Sequence, residues 1–134
     1  MKFLLDTNVF IEIILNRERA EEALALLEKT EKFEFFISDF SLHSIGILFV
    51  RTKRHHVFNQ FLQDMIFSEI LSLVSLFPED MEKVIMVSLL FGIDFDDAYQ
   101  YVVAEKYGLI IISFDSDFDR TELGRKTPKE VLQG

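Results

Sequence analysis

Cysteine and tryptophan are absent from this 134-residue sequence, and proline and glycine are scarce, at two and five residues. Without cysteine there is no disulfide, no thiolate metal site and no cysteine nucleophile. So little Pro and Gly leaves small room for long linkers. No apolar run approaches the roughly 20 residues needed to span a bilayer. The start does not read as a secretory leader, because Lys2 is followed only by Phe3-Leu4-Leu5 before Asp6 breaks the apolar stretch. A cytoplasmic location is the default expectation. Positive charge is also short: 14 Lys and Arg stand against 23 Asp and Glu, for a net charge of -9. Phosphate contacts are made mostly by Lys and Arg, so this balance argues against nucleic-acid binding through bulk charge alone. Either the acids form a solvated surface, or some gather in a cleft where cations neutralise them.

What is present is ordinary for a folded chain, 49% hydrophobic and 28% charged, far from the disordered class. The length suits one domain, and no repeat or shift in composition divides it, so residues 1–134 are expected to form a single domain. Apolar runs fitting buried strands fall at residues 2–6, 33–37, 69–74 and 109–113. Between them lie helical periods: Ala20, Ala23, Leu24 and Leu27; Val57, Phe58, Phe61, Leu62 and Met65; and Met81, Val84, Ile85, Ser88 and Leu89. A further helix is expected from Asp94, with Ala98, Tyr101, Val102 and Glu105 along one side and Gly108 as its stop. Apolar strands alternating with helices predict an α/β fold, a three-layer α/β/α sandwich around a central parallel sheet.

Ligands of such sheets bind just beyond the carboxyl ends of the strands. Three of the four runs close on polar residues: Asp6-Thr7-Asn8, Ser38-Asp39, and Ser113-Phe114-Asp115-Ser116-Asp117. Asp97 falls in the first turn of the helix that starts near Asp94. Singly, these acids have plain explanations, such as the helix dipole for Asp94 and Asp96, a turn for Asp117 and Asp119, and an N-cap for Asp39. Asn8 likewise suits a cap for the helix after the first strand. Asp6 is harder to explain so, since it interrupts an apolar stretch before any turn signal. If Asp6, Asp97 and Asp115 converge, with Asp117 close by, their repulsion calls for a cation. Hard oxygen ligands without cysteine select Mg²⁺ or Mn²⁺, and such sites commonly serve phosphoryl chemistry.

The ordered set Phe3-Leu4-Leu5-Asp6-Thr7-Asn8-Val9, Asp97-Ala98 and Ile111-Ile112-Ser113-Phe114-Asp115-Ser116-Asp117-Phe118 resembles a PIN domain. Thr127-Pro128-Lys129-Glu130-Val131 extends the likeness to the closing segment of many prokaryotic members. The resemblance implies a parallel-sheet α/β/α sandwich and a Mg²⁺- or Mn²⁺-dependent ribonuclease, with many small members being VapC-type toxins held by an antitoxin. It implies Asp6, Asp97 and Asp115 as catalytic acids and metal ligands, Asp117 as a further ligand, and Asn8 and Ser113 as supports that hydrogen-bond them. An RNA phosphodiester would be hydrolysed by a metal-activated water, the metal offsetting charge on the departing oxygen. One position departs from the pattern. Where the family shows a Glu, six residues after the serine that closes the second strand, this sequence has Ser44. A neutral Ser44 supplies no charge, and His43 beside it points about 100° away on a helix. Asp39 is the other acid near that strand end.

Arg51-Thr52-Lys53-Arg54-His55-His56 is the one concentrated basic stretch. Arg51, Lys53 and Arg54 are candidate RNA-backbone contacts, with a solvated corner as the other reading. Arg120, with Arg125 and Lys126, forms a second patch beside the acids. Fifteen Phe in 134 residues exceed what a core readily absorbs, so some are expected on a protein–protein surface, for a homodimer or an antitoxin. Three functions compete: a metal-dependent endoribonuclease, a PIN-like binding module weakened by Ser44, and a phosphatase or phosphotransferase with Asp6 as nucleophile. The last wants a second Asp two residues on, where Asn8 stands.

Overall fold

Leu4 and Ile111 face one way and Phe3, Leu5 and Ile112 the other, so the sheet carrying them needs an apolar cover on both sides. The computed structural model, which describes residues 1–134, supplies that cover. Its strands are β1 (Lys2–Leu5), β2 (Glu34–Ser38), β3 (Leu71–Val74) and β4 (Ile110–Ile112), each within two residues of the expected run. They form one parallel sheet in the order β3-β2-β1-β4. Seven helices flank it: α1 (Thr7–Ile14), α2 (Ala20–Leu27), α3 (Asp39–Arg51), α4 (His55–Phe61), α5 (Met81–Phe91), α6 (Phe95–Tyr107) and α7 (Pro128–Gln133). Val9 and Phe10 of α1, Ala23 and Leu26 of α2, Ile45 and Phe49 of α3 and Phe61 of α4 pack with Phe3 and Leu5 on one face. Val84 of α5 and most of α6 pack with Leu4 and Ile111 on the other. The expected three-layer α/β/α sandwich is the observed fold.

Strand order fixes where a site can form. From β1 the chain runs outward through β2 to β3, then returns to place β4 on the other side of β1. The order in which the chain adds strands therefore reverses between β1 and β4, and a crevice opens beyond their carboxyl ends. Leu5 pairs with Ile112, and Asp6 N–H donates to Ile112 O at 2.9 Å, so Asp6 and Ser113 leave the sheet side by side.

Three local expectations need correction. The first turn of α1 is capped by Asp6, whose side chain accepts from Thr7 N, and Asn8 lies inside the helix. Ser38 caps α3 by accepting from Ser41 N, which displaces Asp39 into the first turn. On α5 only Val84 and Val87 are buried, while Ile85, Met86, Leu89 and Leu90 face outward at 58% to 80% exposure. The helical period places Ile85 and Leu89 inward, but α6 covers a narrower stripe. The surplus apolar surface is thus aliphatic and on α5. Of the phenylalanines, Phe35, Phe49 and Phe61 are core, and only Phe67, Phe77 and Phe95 are half exposed or more. Gly108 ends α6 at φ 69°, the left-handed turn read from sequence.

Candidate metal centre

Eight consecutive residues of α6, Asp97 to Ala104, are buried, because the helix lies between the sheet and α5. Polar groups in such a helix must find partners or bear a cost. Asp97 and Gln100, three apart, share the face that meets β1 and β4.

Asp6 is held by four donors. Its Oδ1 accepts from Thr7 N at 2.9 Å and from Gln100 Nε2 at 3.0 Å. Its Oδ2 accepts from Ser113 Oγ at 2.9 Å, with a longer contact of 3.4 Å from Asn8 Nδ2. Asn8 also donates to Ser113 Oγ and accepts from Phe114 N at 3.2 Å, so it ties α1 to the loop after β4. Burial pushes the Asp6 carboxyl above its usual range, and the Asp115 charge adds to this. The bonds from Gln100, Ser113 and Thr7 pull the other way.

Asp115 caps a short 3-10 turn (Ser116–Arg120) by accepting from Asp117 N at 2.9 Å, and its own N–H donates to Ser113 Oγ. This turn folds the loop back, and one carboxylate oxygen from each of Asp97, Asp115 and Asp117 then lies within 4.8 Å of the others. Asp97 makes no side-chain hydrogen bond. Burial raises its pKa to about 7, helped by the charges of Asp96, Asp6, Asp115 and Asp117. A cleft of 490 Å³ opens over Asp6, Asp96, Asp97 and Asp115, walled by Asn8, Glu12, Arg17, Arg19, Phe40 and Phe114. The donor set fits a hard divalent cation: several carboxylates, no sulfur, and one acid that holds its proton near neutrality when no cation is bound.

The raised carboxyl groups imply a pH dependence with a definite sign. Asp97 binds its proton more tightly folded than unfolded, so its contribution to stability falls as pH rises from about 4 to about 7 and is flat above. Asp6 acts in the same direction. Asp80, Asp119 and Glu130 have depressed values and lose their stabilising effect only at lower pH. In EDTA the thermal midpoint is therefore expected to peak near pH 5 and to drop toward pH 7.5, with a smaller drop in Asp97→Asn. A wild-type midpoint rising over that interval would contradict the crowded-carboxylate description.

The remaining predicted residues fall as follows. Ser44 is half buried in α3, makes no hydrogen bond and does not line the cleft. One turn earlier, buried Ser41 accepts from Gln100 Nε2 at 2.8 Å and shares a 2.8 Å bond with Thr7 Oγ1. Asp39 is turned aside, accepting from Tyr99 OH at 2.8 Å. Burial and this bond raise the Tyr99 pKa to about 12, so it stays a donor. Arg51, Lys53 and Arg54 lie at the end of α3 and the turn after it, and none lines the cleft. Arg120 pairs with Asp117 at 2.7 Å and donates to Gly92 O at 2.8 Å. Sequence reasoning did not single out Thr7, Glu12, Arg17, Arg19, Ser41 or Gln100. For Gln100 a signal existed: a polar residue on the Asp97 face of an otherwise apolar helical stretch.

The sequence profile of the PIN domain matches residues 3–123. The chain belongs to the PIN domain family. No curated protein matches it by sequence. Among solved structures, this PIN domain is similar to VapBC2 from Rickettsia felis, bound to a DNA fragment from its promoter. That match has TM-score 0.77 and 15% identity, covering 94% of this chain and 97% of the other. A toxin–antitoxin complex from Klebsiella pneumoniae is similar at TM-score 0.73 and 19% identity, over 94% and 97% of the two chains. FitAcB from Neisseria gonorrhoeae matches at TM-score 0.73 and 19% identity, over 96% and 99%. PIN domains are generally metal-dependent nucleases, and the acidic triad here is of the kind that could bind a metal. No helix of this PIN domain is long and apolar enough to cross a membrane.

Proposed function

We propose that this PIN domain is a Mg²⁺- or Mn²⁺-dependent endoribonuclease acting in the cytoplasm, as the toxin of a toxin–antitoxin pair. The observation that carries the reading is the meeting of Asp97, Asp115 and Asp117, at the cleft that Asp6, Asp97 and Asp115 line where strand order reverses. Asp97, Asp115 and Asp117 would hold the cation, and Asp6 would complete its surroundings from a fixed position. Once bound, the cation supplies Lewis acidity toward a phosphodiester and an acidified water. Asn8 and Ser113 keep the Asp6 oxygens in place, and Gln100 holds the other side. A protein partner is supported by the similar structure solved as a toxin–antitoxin complex and by the outward apolar residues of α5. That α5 face would also suit a homodimer.

A second reading has its own support. Ser44 places no carboxylate in the site, and a neutral amide, Gln100, occupies the flank of Asp6. A centre with one acid fewer binds cations more weakly, which suits a binding module that has lost efficient catalysis. Cleavage of labelled single-stranded RNA in Mn²⁺, by the wild type, Asp97→Asn and Ser44→Glu, separates the two. The enzyme reading expects wild-type cleavage that disappears in Asp97→Asn. Cleavage by Ser44→Glu alone would identify the module instead.

A further inference from the structure

The basic residues nearest the carboxylates are not those of the basic stretch. Arg17 and Arg19, on the turn between α1 and α2, are the two cations that wall the acidic cleft. A cation beside acids often serves only to neutralise them, but these two make no ion pair with Asp6, Asp96, Asp97 or Asp115. Arg19 is spoken for by Glu12, its Nε 3.8 Å from Oε2. The Arg17 guanidinium makes no hydrogen bond or ion pair with the chain, and both residues are exposed.

The turn that carries them is constructed rather than slack. Glu12 is buried; its carbonyl accepts from Arg17 N at 2.9 Å and its carboxylate from Arg19 N at 2.9 Å. Asn16 takes the left-handed conformation at φ 50°, which asparagine tolerates better than most residues. The guanidinium plane of Arg19 lies over the Phe114 ring, 3.9 Å from its centre. Phe114 precedes Asp115 and is fixed at its backbone by Asn8. The position of Arg19 is thereby set relative to the loop that carries the acids.

We propose that Arg17 and Arg19 form a clamp for a backbone phosphate of single-stranded RNA next to the linkage held at the carboxylates. This rests on the reading of the cleft as a ribonuclease centre, and it names how an acidic protein grips an anionic chain there. A guanidinium presents a planar fork of donors that suits phosphate oxygens, and with Arg19 Nε turned to Glu12 its two terminal nitrogens remain for them. A 490 Å³ cleft is of small-ligand size, so little more than one nucleotide at a time reaches the carboxylates, which a flexible single strand allows. A divalent cation at the carboxylates would offset part of their charge, and Arg17 supplies unpaired positive charge beside them.

The test is anisotropy of a labelled single-stranded RNA oligonucleotide, titrated in Mg²⁺ on ice across a salt series, strand length being checked on a gel. Each phosphate contact on a single strand contributes about 0.7 to the slope of log affinity against log salt, or about five-fold at 0.1 M salt. Arg17→Ala is expected to weaken binding about five-fold and flatten the slope by about 0.7, with Arg17→Lys recovering most of both. The double variant with Arg19→Ala should lose about twice that slope. Unchanged affinity and slope in Arg17→Ala overturns the clamp, as does a loss that appears only in Arg51→Ala. Equal displacement of the RNA by an acidic peptide, with no change of salt slope in Arg17→Ala, overturns it in favour of a protein ligand. The thermal rise with Mn²⁺ is measured on the same samples. Wild type that shows the rise but binds no RNA overturns the clamp and the RNA substrate together, while wild type lacking the rise fails the metal reading first.

Discussion

Millimolar Mn²⁺ is expected to raise the thermal midpoint of the wild-type chain; Asp97→Asn should abolish the rise and, without metal, melt above wild type at pH 7.5. Both halves follow from one arrangement. Asp97 is buried, has no hydrogen-bond donor, and faces the carboxylates of Asp115 and Asp117 within 4.8 Å. Its pKa of about 7 means that at pH 7.5 the fold carries a charge it would shed if it could. Asparagine keeps the shape and removes that charge, at no cost in hydrogen bonds. A cation removes the repulsion in wild type by binding only the folded state; at 100 times its Kd it contributes about 2.7 kcal/mol. For a chain of this length that is roughly 10 °C. Differential scanning fluorimetry of both proteins with EDTA, Mg²⁺ and Mn²⁺ reads the result. A wild-type midpoint indifferent to both metals would remove the site from the protein.

Gln100→Glu is expected to lower the metal-free midpoint at pH 7.5 by roughly 10 °C, about 3 kcal/mol, and to regain much of it by pH 5. Gln100 Nε2 lies 3.0 Å from Asp6 Oδ1, and only a donor is tolerated there because a carboxylate solely accepts. A second carboxylate in its place cannot ionise beside the first; one of the two must take up a proton or the helix must shift. The raised pair is destabilising above its folded pKa and relieved as pH falls, which gives the direction of the pH effect. Gln100→Leu separates charge from hydrogen bonding. It loses a donation to Asp6 worth about 1.5 to 3 kcal/mol and one to Ser41 worth about 1 kcal/mol, but also removes Gln100 Oε1, a buried acceptor without a partner, itself costing about 1 to 3 kcal/mol. The net loss is about 1 kcal/mol, so the leucine variant should melt closer to wild type than the glutamate variant. Equal melting of all three at pH 7.5 would show that Gln100 does not govern Asp6.

The strands and the acids were legible because each has a local signature. Apolar runs closed by Asp6 and by Ser113-Phe114-Asp115 name both the sheet and the edge where chemistry sits, and parallel pairing does the rest. The supports of Asp6 were only half legible. Asn8 and Ser113 adjoin the acids in sequence, whereas Gln100 reaches the Asp6 carboxylate from 94 residues on and is itself held by Ser41, 59 residues before it. The basic residues were misplaced for a related reason. A run such as Arg51-Thr52-Lys53-Arg54 draws the eye by density, but Arg17 and Arg19 reach the cleft because Glu12 bends the chain there. The outward face of α5 was illegible, since the period of a helix does not say how wide a stripe its neighbour will cover.

The Ser113 Oγ to Asp6 Oδ2 bond joins residues 107 positions apart. Asp6 is made 94 residues before Gln100 of α6 and 107 before Ser113 after β4. Contacts so distant in sequence form late, after intervening chain has been closed into loops. Until those residues follow, Asp6 stands at the open edge of a growing sheet, without the other acids beside it. The centre therefore comes into being only when β4 joins β1, as the last strand of the sheet to be made.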